Sequence, residues 1–389
     1  MLLLFLVTIV PGSADGATPT EIPVYYLMQA QDDYYAAVRG YAGLQLKQPR
    51  RPLDGVKSGL REARVLGRSA NIKFKLEVIV GEDRDDIAAR IPLDATGDSI
   101  VFIVADLPKE DLLYLSKQYI DKPVLIFNAR HRDNDLRGPA CARNLFHTLP
   151  SYSMLYDALA QYLKKKRWNK VLVLTGKEPQ DLKLSEAFKG SAKKLGLKIV
   201  DSKSFAVSNN PQDRSENNIP ILTSGPDHDV VFIADSFGEF SRYLPYQTAR
   251  PNLVVGSEGL VAAAWHWTWE RHGAPQLNQR FDKVAEKPHM SPQQWAGWAA
   301  VKALVTATVK TGSTDFKAVS GFLRSAELTL DLYKGAPGNF RSWNNQLRQP
   351  ILLHTHNAVL QRAPIDGFIH RTNNLDSLGQ DAPESKCEL

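Results

Sequence analysis

The sequence lacks the short motifs that mark the common classes of enzyme. It contains no glycine-rich phosphate loop, no GxGxxG after a predicted strand, no GxSxG elbow, no HExxH and no paired CxxC. These motifs would supply a nucleotide cradle, an activated nucleophile or a zinc site. Their absence counts against an enzyme, and we expect no cofactor.

Concentrated positive charge and cysteine are also scarce. Lys and Arg number 48 against 42 Asp and Glu, and the basic residues are scattered along the chain. Because a phosphate backbone is bound by a concentrated basic face, we expect no nucleic-acid partner. The two cysteines are Cys141 and Cys387. In an oxidising compartment they would pair and tie the tail to the first half of the chain; two free thiols are the alternative.

No apolar run is long enough to cross a bilayer as a helix. The first ten residues, MLLLFLVTIV, are apolar, and small residues follow, which predicts a secretory signal peptide within residues 1–17 and cleavage after about Ala14. Met1 is followed directly by leucines instead of a basic residue, so a misplaced start codon or a buried N-terminal strand are competing explanations. We therefore expect an exported protein that is not inserted in the membrane after cleavage.

A chain of 389 residues is expected to form two domains. The stretch from Pro139 to Gly176 contains the first crossover between them. An apolar run stops at Pro150, and Ser151 is placed to cap a helix whose apolar residues recur at spacings of three and four. The N-terminus of this helix would point into the gap between the domains, where a ligand would lie.

Strands and helices alternate on both sides of this crossover. The pattern predicts strands at 22–27, 72–80, 100–104, 123–127, 171–174, 197–200, 230–233 and 253–255, and helices at 54–70, 83–95, 109–119, 184–195, around Phe240, at 276–285 and at 292–309. Closing strands are predicted at 338–343 and 349–353, and polar loops at 29–52 and 208–218. The loop 29–52 carries tyrosines and is long enough to suggest a function. Because a strand, a helix and a strand in this order form a parallel sheet, we predict an α/β fold with two doubly wound lobes.

Two similar strands end on aspartate, VFIVAD at Asp106 and VFIAD at Asp235. Doubly wound sheets open their ligand crevice at this end of the strands, although an aspartate there can also cap the next helix. Arg130 follows the strand of residues 123–127 and would suit an anion; a solvated turn with Asp133 and Asp135 is the alternative.

Two further groups of residues have ordinary interpretations. His354 and His356 would face one way on a strand, as metal ligands do, but no carboxylate or thiol lies near them in the sequence, so surface histidines are the favoured interpretation. The tryptophans that follow Ala264 would stack a flat ligand or, more commonly, pack a core between helices.

With its two similar halves, the sequence resembles a type I periplasmic binding protein of the kind that serves branched-chain amino-acid ABC transporters. Several strings are similar to a subgroup associated with PQQ-dependent alcohol dehydrogenase systems: CARNLFHTLPSYSMLYDALAQYLKKKRW from Cys141, EFSRYLPYQTARP from Glu239, AWHWTWERHGAPQLNQRF from Ala264, FRSWNNQLRQPILL from Phe340 and LDSLGQDAPESKC from Leu375. The resemblance implies a two-lobed receptor that closes around its ligand, with three hinge crossings near Pro150, Val261 and Thr329. It implies that lobe 1 comprises residues 20–149 with 262–328, that lobe 2 comprises 150–261 with 329–364, and that 365–389 form a tail.

The sequence departs from the amino-acid receptors at one position. Those proteins carry small hydroxyl residues after the third strand of lobe 1, where this chain has Asp106-Leu-Pro-Lys109, so an ordinary amino acid is in doubt as the ligand. The expected ligand contacts are Asp106, Asn128, Arg130, Ser151, Asp235 and Glu239.

Three functions follow in order of preference. The first is a receptor that delivers a small polar solute, linked to alcohol oxidation, to an inner-membrane permease. The second is an accessory or sensor protein of a quinoprotein dehydrogenase that does not take part in transport. The third is an enzyme on a doubly wound fold, which none of the motifs sought in the sequence supports.

Overall fold

The computed structural model describes residues 18–40, 43, 46, 48–93, 97–207, 210, 212 and 217–389. The predicted signal peptide lies outside the described residues, as do parts of the two predicted polar loops, within 41–47 and 208–216. None of the described helices is long and apolar enough to cross a membrane.

Lobe 1 is built on a sheet of five parallel strands. These are β1 (Thr20–Gln29), β2 (Ile72–Gly81), β3 (Val101–Asp106), β4 (Val124–Asn128) and β5 (Leu145–His147), and the connecting helices are α1 (Leu53–Ser69), α2 (Arg84–Ala89) and α3 (Lys109–Gln118). The strand order is β2-β1-β3-β4-β5. Strands β3 and β4 are buried along their whole length, which explains their nearly continuous apolar sequence.

Lobe 2 repeats the arrangement with four parallel strands. Its elements are α4 (Tyr152–Lys165), β6 (Lys170–Thr175), α5 (Pro179–Lys194), β7 (Lys198–Ser204), α6 (Ile219–Leu222), β8 (Val230–Ala234), α7 (Leu244–Gln247) and β9 (Leu253–Gly256). The order β7-β6-β8-β9 matches that of the first four strands of lobe 1. The prediction of an α/β fold with two doubly wound sheets is therefore confirmed.

The rest of the chain adds helices to lobe 1 and a small antiparallel sheet. The elements are β10 (Val261–Ala263), α8 (Ala274–Asp282), α9 (Pro292–Thr311), α10 (Phe316–Arg324), β11 (Leu330–Asp331), β12 (Pro337–Gly338), β13 (Ile351–His354) and β14 (Val359–Ala363). The antiparallel sheet has the order β10-β13-β14. Helix α9 packs against α1 so closely that a Cβ at Gly55 would lie 1.6 Å from the Gln294 carbonyl oxygen. Only glycine fits there.

Most of the tryptophans of this region pack the core of lobe 1. Trp265, Trp295 and Trp298 are at most 1% exposed and belong to one apolar cluster with the sheet and α9. The interpretation as core is confirmed for these three and wrong for Trp267, which is 39% exposed and stacks on His289. A second cluster joins α4 to β6, β8 and β13 in lobe 2. The exact division into domains stays a prediction; Leu330 and Leu332, which follow the third predicted hinge, pack in the first cluster.

Several predicted elements differ from the structure at their ends. Helix α5 begins at Pro179, five residues before the predicted start, because Glu178 and Asp181 form a reciprocal capping box ahead of the apolar pattern. Helix α2 ends at Ala89, before Pro92. The short helix predicted around Phe240 begins as a 3-10 turn at Ser241–Tyr243 and continues directly into α7, Leu244–Gln247.

The closing strand predicted at 338–343 is wrong beyond Gly338. The backbone there turns through Asn345, which has a positive φ of 51°. The segment keeps one isolated antiparallel bridge, between Phe340 and Leu347. The Asn345 side chain, just beyond the turn, donates to backbone carbonyls of Ala142, Arg143 and Leu145.

The C-terminal tail crosses both lobes. Cys141 and Cys387 form the predicted disulfide, with their Cα atoms 5.6 Å apart. Between β14 and that bond, the backbone of Gly379 donates to the Asp157 carboxylate of α4 at 2.8 Å and accepts from Lys194 of α5 at 2.7 Å. The tail is therefore fixed to lobe 2 by hydrogen bonds and to lobe 1 by a covalent bond.

Candidate ligand-binding site at the strand ends

The lobe 1 sheet changes direction between β1 and β3. Strand β2 lies on one side of β1, and β3, β4 and β5 follow on the other. In sheets of this order the helices diverge at the switch point and leave a crevice at the carboxyl ends of the two central strands. Asp106, the last residue of β3, pairs in register with Met28 near the end of β1, so its side chain lies at this crevice.

Asp106 is fully buried and surrounded by donors. It accepts hydrogen bonds from the hydroxyl groups of Tyr26 at 2.7 Å and of Tyr35, and from the Arg51 guanidinium at 2.9 Å. Burial, and then the charge of Asp106, raise the pKa of both tyrosines far above the usual value, so both remain protonated donors. All the donors to Asp106 among the described residues are side chains, which means that this carboxylate does not act as a helix cap.

Arg130 joins the same network from the end of β4. Its guanidinium nitrogens lie 2.5 and 3.1 Å from the two carboxylate oxygens of Asp32 and 3.8 Å from Asp106. The guanidinium carbon also lies 4.4 Å from the centre of the Tyr34 ring, close enough for a cation–π contact. The structure therefore brings two predicted site residues, Asp106 and Arg130, into one network in which each already has a charged partner.

The partners come from the predicted polar loop 29–52. Asp32 caps the 3-10 turn Asp33–Tyr35 by accepting from the backbone of Tyr34, and the turn delivers both tyrosines to the network. Arg51 lies at the far end of the loop, two residues before α1. Sequence reasoning suspected this loop of a function because of its length and its tyrosines, but missed Asp32 and Arg51 as partners.

Asn128 and Ser151 hold the backbone around the site. The Asn128 side-chain oxygen accepts from the backbone N–H groups of Arg130 and His131, which fixes the turn that aims Arg130 at the crevice. Ser151 caps α4 by accepting from the backbone of Met154 at 3.2 Å, as predicted, and its hydroxyl also contacts Ser153. Both side chains are buried, and their direct contact with a ligand stays a prediction.

The corresponding aspartate of lobe 2 has a different environment. Asp235 follows β8 and accepts from the backbone N–H groups of Gly238 at 2.9 Å and Ser241 at 2.8 Å. Asp181, which the sequence did not single out, accepts from the backbone of Ser236 at 2.6 Å. Both carboxylates stabilise the loop after β8, and direct contact of Asp235 with a ligand stays a prediction.

Two contacts cross from one lobe to the other beside the site. The Glu239 carboxyl group of lobe 2 lies so near Gly40 of the lobe 1 loop that a Cβ at Gly40 would be 2.9 Å from its atoms. Lys183 of α5 lies 3.3 Å from Asp133, which also pairs with Lys109 of lobe 1 at 3.2 Å. The segment after Arg130 is therefore partly a point of contact between the lobes, which sequence reasoning had described as an anion site or a solvated turn.

The histidine pair at the end of β13 does not form a metal site with other ligands. Among the residues that the structure describes, no group of three or more His, Cys, Asp and Glu side chains is arranged to hold a metal. The His354 ring instead stacks on His266 with ring centres 4.0 Å apart.

Comparison with known proteins supports the fold. Residues 53–242 match a family model described as "Periplasmic binding protein". None of the curated proteins compared with the chain matches it. A branched-chain amino acid ABC transporter periplasmic ligand-binding protein from Burkholderia xenovorans has a TM-score of 0.71 at 14% identity, over 94% of this chain and 99% of that one.

Two other solved structures show the range of ligands on this fold. A leucine-, isoleucine-, valine-, threonine- and alanine-binding protein from Brucella ovis in a closed conformation has a TM-score of 0.64 at 14% identity, over 90% of this chain and 93% of that one. An ABC transporter solute-binding protein from R. palustris in complex with benzoate has a TM-score of 0.61 at 12% identity, over 94% and 99%. The chain thus has the two-lobed α/β fold of type I periplasmic binding proteins. These structures are described as binding proteins, in agreement with the prediction of a non-enzymatic protein.

Proposed function

We propose that this protein is the periplasmic substrate-binding component of an ABC transporter. It binds a small polar solute between its two lobes and delivers the solute to an inner-membrane permease. The observation that carries the proposal is the pair of parallel sheets with matching strand order, each with charged side chains at its switch point. The match of residues 53–242 to the periplasmic binding protein family supports it.

Lobe 1 supplies the residues that select the ligand. Asp106 and Arg130 lie at the crevice, and a solute would enter their network by exchanging with one of the present partners. Asn128 and Ser151 form the wall beside them, and Asp235 and Glu239 complete the site from lobe 2. The contact between Glu239 and Gly40 puts the lobe 2 loop within reach of the lobe 1 loop.

Ligand binding favours closure because a solute that touches both lobes stabilises the state in which both are near. The pair Lys183–Asp133 belongs to that state, since it joins the two lobes. A pair between partly exposed side chains contributes at most about 1 kcal/mol, so the ligand supplies most of the free energy of closure.

The link with PQQ-dependent alcohol oxidation is the finer part of the proposal, and it is supported by the similar sequence strings alone. The solute would be a small molecule used or produced when alcohols are oxidised. The alternative is a non-transport accessory or sensor protein that binds a quinoprotein dehydrogenase. Export through a signal peptide within residues 1–17 belongs to both versions.

A thermal-shift titration of the mature protein tests the proposal. Candidate alcohols, aldehydes, acids, amines and PQQ are added one at a time, and a true ligand at a hundred times its Kd should stabilise the protein by about 2.7 kcal/mol. The shift should vanish in Asp106→Asn and persist in Asp121→Asn, a matched change at an exposed surface aspartate. Stable co-purification with a dehydrogenase, with no response to any small molecule, would favour the accessory protein.

A further inference from the structure

Arg51 differs from the other charged members of the lobe 1 network. The side chains of Asp106, Asp32 and Arg130 are 0%, 4% and 6% exposed, whereas that of Arg51 is 23% exposed. Solvent therefore reaches Arg51 while its partners are closed off. It is the member that a molecule in the crevice would meet first.

The contacts of Arg51 are those that proteins use to bind a cation. Its guanidinium donates to the buried Asp106 carboxylate at 2.9 Å, and its central carbon lies 4.1 Å from the centre of the Tyr35 ring. A carboxylate and an aromatic face together select a positively charged group that is flat or compact. Because Tyr35 also donates to Asp106, the ring and the carboxylate are held in fixed relation.

The charge balance indicates which partner can be exchanged. Asp32 and Arg130 form a buried pair with two hydrogen bonds through the terminal guanidinium nitrogens, while the buried Arg130 Nε has no hydrogen-bond partner among the described residues. If Arg51 rotates away, Asp106 keeps its two tyrosine hydroxyls but loses its closest cation, and a buried carboxylate without a cation is costly. A positively charged ligand group in the place of Arg51 would restore the balance, whereas an anionic group there would lie against the Asp106 carboxylate and be repelled by it.

The backbone allows this exchange without unfolding. Arg51 lies just before Pro52 and α1, so its main chain is anchored and only its long side chain has to move. The neighbouring Arg50 points elsewhere and donates to the backbone carbonyls of Pro288 and His289 at 2.7 and 2.9 Å. The two adjacent arginines therefore have separate roles.

We propose that the Arg51 side chain occupies a subsite for a cationic group of the ligand, an amine or a guanidinium, which displaces Arg51 from Asp106 and Tyr35. The inference rests on the proposed receptor function, since it names the charge of the solute. In the unliganded protein, the Arg51 side chain would block this subsite, so a cationic ligand has to compete with it.

Chemical rescue tests this subsite. Arg51→Ala and Arg51→Gln are titrated with methylguanidinium, agmatine and propylamine at constant ionic strength, and binding is measured by calorimetry and thermal shift. The variants should bind at least one of these cations about tenfold or more tightly than the parent does, because the competing side chain is gone. Methylguanidinium and propylamine show which of the two cation types fits better.

Two controls define the result. Arg50→Ala should bind the cations as weakly as the parent, and Arg51→Gln/Asp106→Asn should bind none of them. If both Arg51 variants fold and neither binds any cation more tightly than the parent, the subsite is rejected. Tighter binding of benzoate or acetate by the Arg51 variants would also overturn it, because the subsite would then be anionic.

The outcome separates this inference from the receptor function. If the Arg51 variants bind cations but the parent responds to no solute at all, the subsite is kept and the receptor function is rejected. A parent that binds a solute, together with Arg51 variants that fold and bind no cation more tightly than the parent does, would keep the receptor and reject the subsite.

Discussion

The two lobes place an aspartate at the same point of the same topology and use it differently. In lobe 1, Asp106 accepts from three side chains, two of which come from a distant loop. In lobe 2, Asp235 accepts from two backbone amides within six residues of itself. One carboxylate belongs to a network whose partners are able to exchange, and the other holds the shape of its own loop.

This difference indicates where ligand selection takes place. Backbone amides that a carboxylate caps cannot move without rearranging the chain, so Asp235 is a fixed part of the lobe 2 wall. Side-chain partners exchange by rotation about single bonds, which costs far less. We therefore expect changes in lobe 1 to alter which solute binds, and changes in lobe 2 to alter mainly stability.

The largest effect is expected for Asp106→Ala. The change leaves the buried Tyr26 hydroxyl without its acceptor and removes the nearest anion from Arg51, so the free energy of unfolding should fall by about 3–5 kcal/mol. Urea unfolding followed by circular dichroism measures the loss. Asp121→Ala, on the surface, should change stability by less than about 1 kcal/mol. Equal losses in the two variants would show that the network contributes nothing.

The disulfide links lobe 1 to the tail, which is hydrogen-bonded to lobe 2. We therefore expect its removal to have the second-largest effect on stability. It closes a loop between residues 246 apart in sequence, and Cys141→Ser/Cys387→Ser should lower the free energy of unfolding by about 2–4 kcal/mol. We also expect the lobes to open further, since the tail would be fixed to lobe 2 alone. Small-angle scattering and ligand affinity measure this. A double variant that opens and binds as the parent does would make the bond purely structural.

The sequence predicted the fold well because the fold depends on local patterns. Alternating strands and helices required parallel sheets, and Ser151 was recognisable as a cap from the residues that follow it. The predicted strand at 338–343 ends at Gly338 because the chain turns at 342–344, next to Asn345, whose side chain is bound by carbonyls about 200 residues away. No pattern within the segment records such partners.

The site was predictable only in part for the same reason. Asp106 and Arg130 follow strands, and their positions at the crevice could be inferred from topology. Their partners could not, because Arg51 and Asp32 are 55 and 98 residues distant and lie in a loop without periodicity. The length of that loop was the one available signal.

Acid should weaken lobe 1 through His131. This ring lies beside the network and bonds to the carbonyl of Leu107 at 2.7 Å; burial, and then the charges of Arg130 and Arg137, lower its pKa from 6.5 to about 4. Between these two values the unfolded chain binds the proton and the folded chain does not, so stability falls as the pH drops from about 6.5 to about 4. At pH 5 this difference in proton binding should lower the free energy of unfolding by about 2 kcal/mol relative to neutral pH.

Urea midpoints at pH 7 and pH 5 measure this loss. His131→Gln should be less sensitive to acid than the parent, whereas His356→Gln, at an exposed position, should behave as the parent does. Hydrogen exchange at pH 5 should show faster opening of β3 and β4 than of β6 and β8. Uniform acceleration in both sheets would contradict the assignment to lobe 1.

The smallest effect is expected for Asp235→Ala in lobe 2. The variant loses two hydrogen bonds to the amides of Gly238 and Ser241, which should lower the free energy of unfolding by about 1–2 kcal/mol, the usual cost of a lost cap. Asp235→Asn keeps an acceptor and should recover much of that loss. Asp106→Asn should not recover in this way, because a neutral amide cannot balance Arg51. Ligand affinity should change far less in Asp235→Asn than in Asp106→Asn; an equal loss of affinity in the two would show that both lobes select the solute and that their strand ends are equivalent.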